Sequence, residues 1–192
     1  GTGKTTVAGG TVTATSANAI YNAVGGEVEV TGGTITGTNG IYNNANGTIT
    51  VSAGNITGST EHAIKGYVGN VTVSGGTIEG TEDGIYITSA VVGGQTLSGS
   101  ATVTGGTITG GRTGIIAGDT VGNGTASITL GTNDGNVSTS SPTIISTDTS
   151  VSDGHGYGVY FENREGYGNA KFYFYDGIIK GAEYKAISSE PT

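Results

Sequence analysis

The sequence predicts an all-β chain built as a single right-handed parallel β-helix, with three short strands per coil of about 22 residues and about seven coils. Three observations carry this expectation. The phrase Gly-Gly-Thr-Ile-Thr-Gly, or a close variant, returns at residues 9–14, 32–37, 53–58, 75–80 and 105–110. Its central aliphatics Val12, Ile35, Ile56, Ile78 and Ile108 are 23, 21, 22 and 30 positions apart, a regularity that marks a solenoid. The composition agrees: 39 glycines with only 2 prolines exclude collagen and Pro-rich linkers, and abundant Thr, Val and Ile favour strands.

Each repeat has three apolar beats. The first alternates, as in Val28-Glu29-Val30, Ile49-Thr50-Val51, Val71-Thr72-Val73 and Ile128-Thr129-Leu130, so aliphatics face one way and Glu or Thr the other. The second is Thr-Ile-Thr, with the aliphatic inward. The third is Ala19-Ile20-Tyr21-Asn22, Gly40-Ile41-Tyr42-Asn43, Ala63-Ile64-Lys65, Gly84-Ile85-Tyr86 and Gly114-Ile115-Ile116. One coil alone cannot bury its aliphatics, but stacked coils make a continuous column. Glycines mark the corners.

Residues 1–117 read as regular coils with a loop inserted at about 87–100. Residues 118–169 read as an irregular coil with long loops. Within it Thr143-Ile144-Ile145 is expected as a second strand and Gly158-Val159-Tyr160-Phe161 as a third. Residues 170–192 form an aromatic-rich terminal coil, and all of this is one domain. Phe161, Phe172 and Phe174 fall in the last two coils, where an aromatic layer would plug the end of the column.

The net charge of −8, from 7 Lys and Arg against 15 Asp and Glu, argues against nucleic acid and against an anionic membrane surface. No apolar run reaches the length of a membrane span, so no membrane insertion is expected. There is no cysteine, which excludes disulfides and thiolate metal sites. The chain opens on Gly1 rather than Met and reads as part of a longer protein.

Threonine- and glycine-rich coils such as Gly-Gly-Thr-Ile-Thr-Gly-Thr-Asn-Gly-Ile-Tyr-Asn, residues 32–43, resemble the repeats of large surface proteins of Firmicutes and related gut bacteria. The closing Phe-Tyr-Phe-Tyr-Asp-Gly-Ile-Ile-Lys-Gly, residues 172–181, is similar to an aromatic coil that recurs in such proteins. The resemblance implies an extracellular, wall-associated or adhesin-like setting, and supplies no catalytic residues. The expected function is a non-catalytic rigid spacer or adhesin segment, with host or microbial glycans or surface proteins as partners.

The candidate contact face is a column on the third strands. Tyr21, Tyr42 and Tyr86 share one position, Lys65 and Ile116 occupy it in two other coils, and Tyr160 occupies it in the irregular coil. Exposed rings in such a column stack on sugar rings and offer a hydroxyl for hydrogen bonding. The bland alternative is a self-packed surface ladder of tyrosines. The outward threonines Thr11, Thr13, Thr34, Thr36, Thr57, Thr77, Thr107 and Thr109 form a second array, which suits ice binding but is also the default for an exposed strand. Asn55 and Glu79 interrupt it.

A carbohydrate-active enzyme of the lyase or glycosidase type needs paired carboxylates. Glu27 and Glu29 have no partners in the next coil, and Glu82-Asp83 reads as a solvated turn. Asp148, Asp153, His155, Glu162, Arg164 and Glu165 make the most reactive-looking stretch, although turn chemistry at Asp153-Gly154 accounts for part of it. No cofactor is expected. Calcium has two candidate places: Asp134 with Asn133 and Asn136, or Asp148 with Asp153. The opening Gly-Thr-Gly-Lys-Thr-Thr contains a P-loop fragment, but a phosphate loop needs a preceding strand and a following helix.

Overall fold

The computed structural model describes residues 3–23, 25–118, 124–136, 141–150, 155–163, 169–182 and 185–191. Among them there is no helix, and every strand pairing but one is parallel. The architecture is therefore all-β and consistent with a β-solenoid: strands pair with their equivalents one repeat away.

Three ladders run the length of the chain. The first comprises Lys4–Val7, the leading halves of Glu27–Gly37, Gly47–Gly58, Gly69–Gly80 and Gly99–Gly110, then Thr125–Leu130 and Asn169–Phe174. The second comprises Thr11–Thr13, the trailing halves of the same four strands, then Thr143–Ser146 and Ile178–Lys180. The third is a 7-stranded sheet of Ile20–Asn22, Ile41–Asn43, Ile64–Gly66, Asp83–Ile87, Thr113–Ala117, Tyr157–Asn163 and Ile187–Pro191. The expected second and third strands of the irregular stretch thus pair where the repeat required.

One expectation is corrected. In the four central repeats the first two strands are not separate but form one strand of 11 or 12 residues, bent at the Gly-Gly corner. The pairing register shifts at that corner, between Val30 and Thr34 and between Val103 and Thr107. A left-handed glycine makes the bend: Gly33, Gly54, Gly76 and Gly106 have φ of 84, 97, 91 and 84°. A Cβ on Gly76 would meet the backbone oxygen of Gly54 at 2.7 Å, so both conformation and close approach require glycine there.

The core is four aliphatic columns in register, one of them Val7, Val30, Val51, Val73, Val103 and Leu130 along the first ladder. Val28, Ile49, Val71, Ala101 and Ile128 stack from the first ladder. Ile35, Ile56, Ile78, Ile108 and Ile144 stack from the second. Ile20, Ile41, Ile64, Ile85, Ile115 and Val159 stack from the third. All are buried, and each fully buried Val or Ile contributes about 1.5–3 kcal/mol relative to exposure. Asn22 and Asn43, two residues after Ile20 and Ile41, also sit inward: Asn22 Nδ2 donates to Asn43 Oδ1 at 2.8 Å, and Asn43 Nδ2 donates to the Val68 carbonyl at 2.6 Å.

The inserted loop is an antiparallel hairpin, Ala90–Val92 against Gln95–Leu97, turning at Gly93-Gly94. Ala90 and Leu97 pack with Ala45 and Val68 in a small satellite core. The phenylalanines stack as expected, Phe161 on Phe172 at 6.1 Å and Phe172 on Phe174 at 6.3 Å. They do not seal the end, since Phe174 is 47% exposed and Ile187 38%.

Candidate functional site

The third ladder carries the site. Because Ile20, Ile41, Ile64 and Ile85 point inward, alternation turns the next residue of each strand outward, and parallel register lines these up as Tyr21, Tyr42, Lys65 and Tyr86. The Tyr21 and Tyr42 rings are 5.6 Å apart and tilted by 59°. Lys65 Nζ lies 5.8 Å from the Tyr42 ring and 5.8 Å from the Tyr86 ring, a cation held between two aromatics. Glu61 lies 3.7 Å from the same ammonium. Tyr21 is 55% exposed and the other three are half-buried. Burial pushes the Tyr42 hydroxyl above its ordinary pKa, with smaller contributions from Tyr21, Tyr67 and Glu61. Beside Tyr21 a shallow cleft of about 250 Å³ opens, lined by Lys4, Thr5, Asn22 and Ala23.

Tyr160 departs from this pattern. It follows the inward Val159 in register with Ile116, yet it is 2% exposed, and Tyr157 stacks on it at 5.5 Å. It is a buried aromatic rather than part of an exposed face.

Beside the tyrosine column, at the corner entering the third strand, lies a polar column that the sequence reading missed. Asn18, Asn39, His62, Asp83 and Thr113 each stand two residues before an inward isoleucine. Asn39 Nδ2 donates to Asn18 Oδ1 at 2.9 Å and to Glu61 Oε2 at 2.8 Å, and Asn39 Oδ1 accepts from the His62 backbone N–H at 3.2 Å. Asp83 is fully buried, which overturns its reading as a solvated turn acid. Arg112 from the next repeat grips it with two hydrogen bonds, Nη2 to Oδ2 at 2.7 Å and Nε to Oδ1 at 3.2 Å. That carboxylate holds the Arg112 guanidinium above its ordinary pKa. The His62 ring stacks on Tyr86 at 4.9 Å, its Nδ1 lies 3.0 Å from Asp83 Oδ2, and its Nε2 lies 3.8 Å from Glu82 Oε2. The Nδ1–Oδ2 approach lacks hydrogen-bond alignment, and Nδ1 is buried without a hydrogen-bond partner. The signal available in the sequence was the shared offset from the inward isoleucine.

The other candidates are spread out. Lys4 opens a strand, and its ammonium is held by Glu27 at 2.9 Å and Glu29 at 3.1 Å, so the P-loop fragment runs into a strand where a phosphate loop would open a helix. Asp134 is exposed, and its Oδ1 accepts from the Asn136 backbone N–H at 2.9 Å. Asp148 accepts from the Ser150 N–H at 2.7 Å and lies 2.6 Å from His155 Nδ1; the Ser150 hydroxyl first, then the Ser150 N–H and His155, hold its pKa down at about 2. Asp153, Arg164 and Glu165 lie outside the described residues. The threonines do align, as Thr11, Thr34, Asn55, Thr77, Thr107 and Thr143 in one column. The neighbouring column runs Thr13, Thr36, Thr57, Glu79, Thr109 and Ile145. Glu79 stands in a shallow groove of about 240 Å³ with Thr57, Thr81, Thr109 and Thr147, which breaks the flatness that an ice-binding face requires.

Comparison with protein-family models, with curated proteins and with solved structures returned no match.

Proposed function

We propose that the chain is a non-catalytic, extracellular module of a bacterial surface protein, a rigid spacer whose Tyr21–Tyr42–Lys65–Tyr86 face contacts glycans. The module is a right-handed parallel β-helix of seven coils, one for each strand of the third ladder. The handedness follows from the general rule for parallel crossovers, and seven coils at about 4.8 Å span roughly 30 Å. The observation that carries the reading is the aromatic column itself. Lys65 holds the Tyr42 and Tyr86 rings and Tyr21 rests against Tyr42, so limited freedom is lost when a sugar stacks on the exposed Tyr21 face. The cleft with Lys4, Thr5 and Asn22 supplies hydrogen-bonding groups next to that ring.

The non-catalytic part of the reading draws on how the described acids are used. Glu27 and Glu29 share Lys4, Asp83 is taken by Arg112, and Asp148 by Ser150 and His155. The test is a glycan panel probed with the wild-type chain and with Tyr21→Ala and Tyr42→Ala/Tyr86→Ala variants. Binding lost in the variants supports the face. Binding retained in all of them moves the contact to residues 118–169, and no binding leaves the spacer role alone.

A further inference from the structure

The polar column has a use that does not depend on glycan contact. We propose that His62, Glu82 and Asp83 form a binding site for a divalent transition-metal ion of the zinc class. One donor atom from each of the three lies within 4.8 Å of the others. Two repeats contribute: His62 from one, Glu82 and Asp83 from the next, stacked by the third ladder.

The second observation is the state of His62. The side chain is buried, with 6% exposure, and Nδ1 lies 3.0 Å from Asp83 Oδ2 with no hydrogen-bond partner. A buried ring nitrogen of this kind is costly to leave unsatisfied. Zinc bonds of about 2.0–2.2 Å at a tetrahedral angle set neighbouring ligand atoms about 3.4 Å apart. The 3.0 Å between Nδ1 and Asp83 Oδ2, without hydrogen-bond alignment, is close to such an edge.

The surroundings fit a coordination site. Tyr86 stacks on the imidazole and fixes its plane. Arg112 Nε bonds Asp83 Oδ1, orienting the carboxylate from outside as outer partners of metal ligands do, while Oδ2 keeps a lone pair beyond its bond to Nη2. Glu82, its side chain 44% exposed, stands at the solvent side of the cluster, where water can complete the coordination. Two carboxylates and one guanidinium leave one negative charge for the cation to neutralise. The imidazole donor selects a borderline metal over calcium or magnesium, which take oxygen ligands.

The experiment is calorimetric titration of the chelator-treated chain with Zn²⁺, paired with Co²⁺ titration followed by its visible absorption. The expected result is one saturable equivalent and a Co²⁺ spectrum of low coordination number. Glu82→Gln and His62→Gln should each weaken Kd at least tenfold, while Asp134→Asn should leave it unchanged. Far-UV circular dichroism checks that each variant folds, and Glu82→Gln, at a half-exposed position, decides if His62→Gln does not. Absence of saturable binding in the wild-type chain overturns the proposal, as does binding of equal strength in Glu82→Gln.

Discussion

Replacing Arg112 by Met keeps an apolar stem of similar length but removes the guanidinium from a carboxylate that has no exposure to water. Asp83 would then face the poorly aligned His62. Breaking a buried ion pair from one side costs about 3–5 kcal/mol, because the remaining charge is uncompensated. Arg112 itself is 29% exposed, so water partly replaces it, and a loss of about 2–3 kcal/mol is expected. For a chain of this size each kcal/mol lowers Tm by about 2–4 °C. Adding Asp83→Asn to Arg112→Met removes the stranded charge, so the double variant should be more stable than the sum of the single losses, by about 1–2 kcal/mol. Urea unfolding of the four proteins in the cycle, with chelator present, measures this. A single Arg112→Met loss below about 0.5 kcal/mol, or additivity across the cycle, would refute the assignment of Asp83 as a buried ion whose charge Arg112 compensates.

Three further outcomes follow from the same structure. Ile56→Ala, in mid-column with no exposure, should cost about 2–5 kcal/mol in urea unfolding, and Ile179→Ala at the half-buried last coil clearly less. Gly94→Ala, at φ 79° in open space, should cost only the left-handed penalty of about 1–2 kcal/mol. Gly76→Ala adds a backbone clash at 2.7 Å and should exceed it, as read from the two urea midpoints. Asp148 has a folded pKa lowered to about 2 from 3.8, so its contribution is present above the unfolded value and lost as pH falls through about 2. Asp148→Asn should therefore narrow its stability difference from the wild type as pH drops from about 4 toward 2, and a gap constant across that range would contradict the assignment.

What the sequence made legible was whatever repeats along one strand. The inward aliphatics and the outward tyrosines follow from period-two alternation plus a 22-residue return, and register then stacks them with no further information needed. The bent continuous strand was not legible, because a Gly-Gly corner looks the same whether pairing stops or merely shifts there. The polar column was hidden for another reason. His62 and Asp83 are unremarkable as single residues, and their meaning arises only across repeats, where Arg112 and Tyr86 also arrive. Tyr160 shows the converse limit: alternation gives the side of the strand, but Tyr157 lying over that side decides exposure.

The hairpin at Ala90–Leu97 stretches one repeat to 30 residues, yet Val73 still pairs with Val103 and Ile85 with Ile115. The corner leaving the third strand is thus a splice point: length can be added there while the stack on either side keeps count. Its tip, Gly93-Gly94, touches nothing that a Cβ would meet within 4 Å. A foreign peptide grafted at that tip would be carried on the flank of the stacked ladders, and equivalent corners in neighbouring repeats would set such cargo at multiples of about 4.8 Å.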